Sequence, residues 1–218
     1  MFGQRKVAML VAEFVGTFVL ASAMMAMLVR TDFAFFSAIA AAVVYGLMYL
    51  VLGGASGSHL NPAVTIGYWT VRKIPTVQAI VYLAVQLLAG VVAWKFGQYV
   101  LHQTLNNIAS GGWNWRVVVA EGVGTLVFGF GLAAVALNRI DESRHAVLVG
   151  AALFIGVVVA SLGANGILNP AVAITVRSWS WSYVTAEVVG LVVGMNLYAL
   201  FFSPDLLKLG SKSKSKKK

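Results

Sequence analysis

Residues 58–67 read Ser-His-Leu-Asn-Pro-Ala-Val-Thr-Ile-Gly, and residues 166–171 read Gly-Ile-Leu-Asn-Pro-Ala. The run Leu60 to Ile66 aligns with Leu168 to Ile174 at an offset of 108 residues, with six of seven positions identical. At the same offset Ala12-Glu13-Phe14-Val15-Gly16-Thr17 meets Ala120-Glu121-Gly122-Val123-Gly124-Thr125. Chance does not place two such matches at one spacing, so the chain is an internal repeat.

Each Asn-Pro-Ala box reads as the start of a helix. Asparagine is a good N-cap, and proline suits the first helical position. The apolar runs that follow, 62–71 and 170–176, are too short to cross a bilayer. Gly53-Gly54-Ala55-Ser56-Gly57-Ser58 leads into the first box and Gly163-Ala164-Asn165-Gly166 into the second. Non-helical backbone of this kind is tolerated at membrane depth only when buried in protein or lining a wet cavity. Both boxes are therefore expected to open half-helices that dip into a membrane.

Working outward, six longer apolar stretches appear at roughly 7–29, 33–52, 77–100, 117–137, 146–162 and 182–202. Each is near the ~20 residues that a membrane helix needs. The first lacks a small-residue cleavage site and opens the repeat, so it reads as a retained span and not a signal peptide. Three spans per half is an odd number, so the halves lie in opposite orientations. The expected fold is an all-α membrane protein with six transmembrane helices, two re-entrant half-helices and an inverted internal repeat. Residues 1–203 form the channel-like domain, with halves of about 7–100 and 117–203. In this arrangement the positive N-termini of the half-helices meet near the midplane, and Asn61 and Asn169 aim amide groups at one spot.

Composition agrees. Hydrophobic residues make up 60% of the 218, charged residues only 11%, and the mean hydropathy is +0.85. Soluble domains carry about 25% charged residues, so the expected solvent is lipid. Cysteine is absent, which excludes disulfides and thiolate chemistry. His59, His102 and His145 are scattered, no nucleophile–base pair or phosphate loop occurs, and neither an enzyme activity nor a cofactor or metal is expected. The net charge of +9 is concentrated in residues 204–218, where six lysines stand against Asp205. This segment reads as a disordered solubilising tail, in preference to a lipid-binding arm or a nucleic-acid contact. Arg5, Lys6, Arg72, Lys73, Arg139, Arg144 and the tail lysines fall on one side of the six spans. Arg30, Lys95, Arg116 and Arg177 fall on the other. The positive-inside rule then puts both termini in the cytoplasm of a cell or inner membrane.

The pair of boxes in inverted repeats, with Gly57 before the first and the Ala-Glu-x-x-Gly-Thr openings of spans 1 and 4, resembles the aquaporin and glycerol-facilitator family over nearly the whole chain. The resemblance implies a six-helix bundle assembled as a homotetramer, one pore per subunit, passing water, glycerol, urea or other small neutral solutes. It implies a pore site at Asn61, Pro62, Ala63, Asn169, Pro170 and Ala171. It also assigns Glu13 and Glu121 to bracing the glycine-rich loops rather than binding solute. His59 reads as a packed brace, with a pH-sensitive gate the lesser reading. Gln86 and its repeat mate Glu187 read as further braces.

One family feature is missing. In water channels and glycerol facilitators an arginine directly follows the second box, and here that position is Val172. Arg177 lies five residues on, about 7.5 Å along a helix and ~140° around it, and reads as an interfacial anchor. Gapless counting puts the remaining outer-constriction positions at Ala41, Val157 and Gly166, with Tyr45 replacing Ala41 if span 2 carries a gap. A set of Ala41, Val157, Gly166 and Val172 predicts a wide, apolar outer constriction. Three functions remain in play: a passive channel, a proton-linked carrier using Glu187, and a poorly conducting interaction protein.

Overall fold

The computed structural model describes residues 3–30, 34–109, 112–138 and 140–203, with the side chains of 142 and 143 excepted. The lysine-rich tail and Arg139, both used in the orientation argument, lie outside the described residues. Eight helices occur among those described: α1 Gln4–Arg30, α2 Ala34–Ser56, α3 Pro62–Thr70, α4 Thr76–Leu101, α5 Trp115–Leu137, α6 Glu142–Ala160, α7 Pro170–Thr175 and α8 Trp181–Phe202.

The six predicted spans correspond to α1, α2, α4, α5, α6 and α8, and the two short runs to α3 and α7. Among the described residues, five helices are long and apolar enough to cross a membrane. In the remaining span, α6, the apolar stretch with described side chains runs from Arg144 to Ala160. The predicted span 146–162 overshoots its end. Beyond Ala160 the chain turns, with the Gly163 and Ala164 amides both bonding the Ala160 carbonyl.

Local chemistry sets the starts. Asn114 caps α5 by accepting from the Arg116 and Val117 amides at 3.0 and 3.4 Å, and Asp141 caps α6 through the Arg144 amide at 3.0 Å. The outward faces keep large apolar side chains exposed, among them Leu50, Val51, Val77 and Val147. Lipid tails are the solvent that such a surface fits.

Packing follows the repeat. In the first half α1 lies against α2 and α4, and in the second α5 lies against α6 and α8. The halves join through α2 against α6 and through the half-helices: α3 packs on α8 as well as α4, and α7 on α4 as well as α8. Each half-helix is thus wedged into the other half. At the α4–α7 crossing the fit is tight enough to require glycine, because a Cβ on Gly90 would stand 2.5 Å from the Ala171 carbonyl oxygen.

Candidate functional site

The two boxes have matching backbones. Asn61 sits at φ −157° and Asn169 at φ −154°, both extended, with proline opening the helix behind each. The residues just before them, Leu60 and Leu168, are both left-handed, at φ 51° and 55°. Two residues further back Ser58 and Gly166 match likewise, at 46° and 64°. Leucine and serine do not adopt this region freely, so outside bonds must hold the loops in it.

Buried carboxylates supply those bonds. Glu13 on α1 accepts from Ser56 Oγ at 2.7 Å, the His59 amide at 3.0 Å, the Leu60 amide at 2.8 Å and Gln86 Nε2 at 2.8 Å. Gln86 also donates to Thr65 Oγ1 at 2.9 Å, tying α4 to α3. Glu121 on α5 accepts from the Ile167 amide at 3.0 and 3.1 Å and from the Leu168 amide at 3.0 Å. Both carboxylates are fully buried. The His59 ring bonds Thr65 Oγ1 at 3.1 Å through Nδ1 and packs on Tyr68 and Tyr82, with centroids 4.4 and 5.4 Å away.

Glu187 differs. It is fully buried on α8, near Glu121 and the Asn169 amide, yet neither carboxylate oxygen has a well-formed hydrogen bond. The one backbone donor beside it is the Asn169 amide, so any brace it gives the second loop is weaker than those of Glu121 and Gln86. Its repeat mate Gln86 has an NH2 group to give to Glu13, whereas a carboxylate has no proton to give to Glu121.

The asparagines bridge the repeats. Asn61 Oδ1 accepts from the Ala63 amide at 2.8 Å, while its Nδ2 donates to the Leu168 carbonyl at 2.8 Å. Asn169 Oδ1 accepts from the Ala171 amide at 2.9 Å, and its Nδ2 donates to the Leu60 carbonyl at 3.0 Å. An amide nitrogen carries two hydrogens. One is spent on the opposite repeat, and the second is left for the cavity that both residues line.

That cavity also gathers Ala41, Val157 and Val172, three of the four residues picked as an outer constriction. Gly166 is not on its wall; a Cβ there would stand 2.9 Å from the Val157 carbonyl and from Ser161 Oγ. Nor is the cavity wide, as the small residues had suggested. Leu20, Met24, Tyr45, Phe128, Leu153 and Ile167 fill the rest of the wall, leaving about 10 Å3 open to the centre of a water molecule, room for one. Counting along single helices finds Ala41, and Tyr45 as its substitute, but not the other side chains facing them. The 108-residue offset, which pairs Leu20 with Phe128 and Tyr45 with Leu153, is the signal that could have found three of them.

Arg177 does not stand in for the missing arginine. α7 ends at Thr175, and Arg177 is left-handed at φ 64° with its guanidinium over the Trp94 ring at 4.7 Å. It borders a separate outer hollow with Asn107 and Trp179.

Comparison with known proteins agrees with this geometry. Residues 4–202 match the family model described as "Major intrinsic protein". Nodulin-26 of Glycine max is 31% identical over 205 residues, covering 87% of this chain and 76% of that protein. Aquaporin AqpM of Methanothermobacter marburgensis is 30% identical over 174 residues, covering 69% and 68%. Among solved structures, the aquaglyceroporin from Plasmodium falciparum shares the fold, with a TM-score of 0.70 at 21% identity, covering 92% of this chain and 98% of that one. The chain belongs to the major intrinsic protein family and is an integral, multi-pass membrane channel for water or small solutes, not an enzyme.

Proposed function

We propose that the protein is a passive channel for water and the smallest uncharged solutes, with Asn61 and Asn169 as its central polar site. The observation that carries this reading is the crossed pair of asparagine bonds, which fixes both amides and leaves one hydrogen of each toward the lumen. A neutral acceptor passing there exchanges its water partners for these donors. A cation meets two donors and two positive helix ends instead. The remaining residues of the boxes, Pro62, Ala63, Pro170 and Ala171, serve to start and seat the half-helices. Glu13, Glu121, His59 and Gln86 brace the loops. Both termini lie in the cytoplasm, and the chain assembles as a homotetramer with one pore per subunit.

A proton-linked carrier is a second reading, favoured by one observation: Glu187 is a fully buried carboxyl with no well-formed hydrogen bond, and such groups in membranes mark proton relays. Stopped-flow swelling of proteoliposomes separates the two. A channel shows no saturation, a low activation energy and no response to a proton gradient. Asn61→Leu and Asn169→Leu are each expected to lower water flux about tenfold, the equivalent of about one lost hydrogen bond. Unchanged flux in both variants would remove the asparagines from the pore.

A further inference from the structure

The lumen wall carries the repeat in its side chains. Leu20 pairs with Phe128, and Tyr45 with Leu153, at the same offset of 108 residues as the asparagines. All four face the cavity that holds Asn61 and Asn169. In each pair one repeat carries a leucine and the other an aromatic ring. The two rings are neighbours, with Tyr45 and Phe128 centroids 5.9 Å apart at an interplanar angle of 73°. Tyr45 is held at its far end as well, because its hydroxyl donates to the His59 carbonyl at 2.9 Å, two residues before Asn61. Both rings are buried, at 2% and 1% exposure. The positions expected to narrow the outer mouth, Ala41, Val157 and Val172, carry nothing longer than valine.

Two anchored rings therefore stand where two leucines would complete the symmetry, and they leave the cavity its 10 Å3. We propose that Tyr45 and Phe128 set the size cut-off of this channel, at the level of the asparagines, excluding solutes bulkier than water such as glycerol. The restriction is steric, since Phe128 has no polar atom and the Tyr45 proton is already engaged. This inference rests on the channel reading above and adds the place and the means of its selectivity.

The test uses the full chain in proteoliposomes and reads the ratio of glycerol to water permeability by stopped-flow light scattering. Tyr45→Leu and Phe128→Leu give each repeat the residue that the other already carries. Wild type is expected to pass water and exclude glycerol. Each variant is expected to raise the ratio at least about tenfold, the scale on which a pocket sorts molecules by small differences in bulk. Tyr45→Leu also deprives the His59 carbonyl of its bond. Phe128→Leu breaks no hydrogen bond and keeps the test decisive if the first variant does not reconstitute. A wild type that is silent to water, with leucine variants that conduct it, overturns the proposed cut-off, since the rings would then close the lumen to water itself. The proposal is overturned if wild type passes glycerol at a rate comparable with water, or if the variants conduct water with an unchanged ratio. Silence of wild type and both variants removes the channel reading itself, and this inference with it.

Discussion

Glu13 and Glu187 are both carboxyl groups sealed inside the bundle, and their partners give them opposite consequences. Glu13 accepts four hydrogen bonds that hold Leu60 and the first loop in place. Glutamine there keeps one acceptor oxygen and turns an NH2 toward donors. Leaving a buried donor unpaired costs about 1–3 kcal/mol, so Glu13→Gln is expected to lower the thermal unfolding temperature in detergent by several degrees. Glu187→Gln is expected to do the reverse. Its amide gains the reach toward Glu121 that Gln86 has toward Glu13, worth about 1 kcal/mol, and its remaining oxygen can still face the Asn169 amide. Tryptophan-fluorescence melting of both variants checks the pair of signs. If Glu187→Gln melts well below wild type, the carboxyl has a partner that the geometry does not reveal. Solute flux in the same variant decides the carrier reading: loss of transport driven by a proton gradient supports a carrier, and unchanged flux supports a channel.

The half-helices show how far sequence alone reached at the scale of elements. Their starts were legible because asparagine and proline state a cap and a first turn directly. Their ends were less so. Both close with a left-handed arginine, Arg72 and Arg177, followed by an amide reaching back five residues: Lys73 to the Tyr68 carbonyl and Ser178 to the Ala173 carbonyl. This is a Schellman closure, built on Thr-Val-Arg in both repeats, but the offset there has fallen to 105 because α7 lacks one turn. A constant offset of 108 passes over that match, so the shared helix end at Arg72 and Arg177 does not show in the alignment. The lumen wall was hard to read for a different reason. Its residues come from separate helices, and the bulk opposite Ala41 or Val172 depends on how those helices pack. Packing at the α4–α7 crossing is itself testable. Gly90→Val puts side-chain atoms against the backbone of Ala171, and overpacking of this kind costs typically 1–3 kcal/mol. Because α7 carries Asn169, the variant is expected to lower water flux as well as stability. A variant that melts lower with full flux would show that the shift is absorbed by α4 alone.

Over the whole molecule, charge is kept away from the lumen. The three acids inside spans, Glu13, Glu121 and Glu187, are all buried in the protein, and none stands on the cavity wall. What faces the lumen is two amide groups and, behind them, the N-terminal ends of α3 and α7, each helix end worth up to about half a positive charge. Cation exclusion is therefore expected with valine at position 172, because the field arises from backbone and asparagines. Asn169→Asp tests this with little change of shape. Aspartate is as good an N-cap as asparagine and keeps the bond to the Ala171 amide. It loses the donor to the Leu60 carbonyl and brings a carboxyl group to the lumen. Proton leak, followed with a pH-sensitive dye inside proteoliposomes, is expected to rise about tenfold over wild type, the effect of about 1.4 kcal/mol on a barrier, while water flux falls no further than in Asn169→Leu, since both variants lose the amide donor. A leak equal to wild type's, with water still conducted, would mean that the midplane field is not what bars cations. A wild-type leak already at the level of Asn169→Asp would mean that exclusion depended on the arginine this chain lacks.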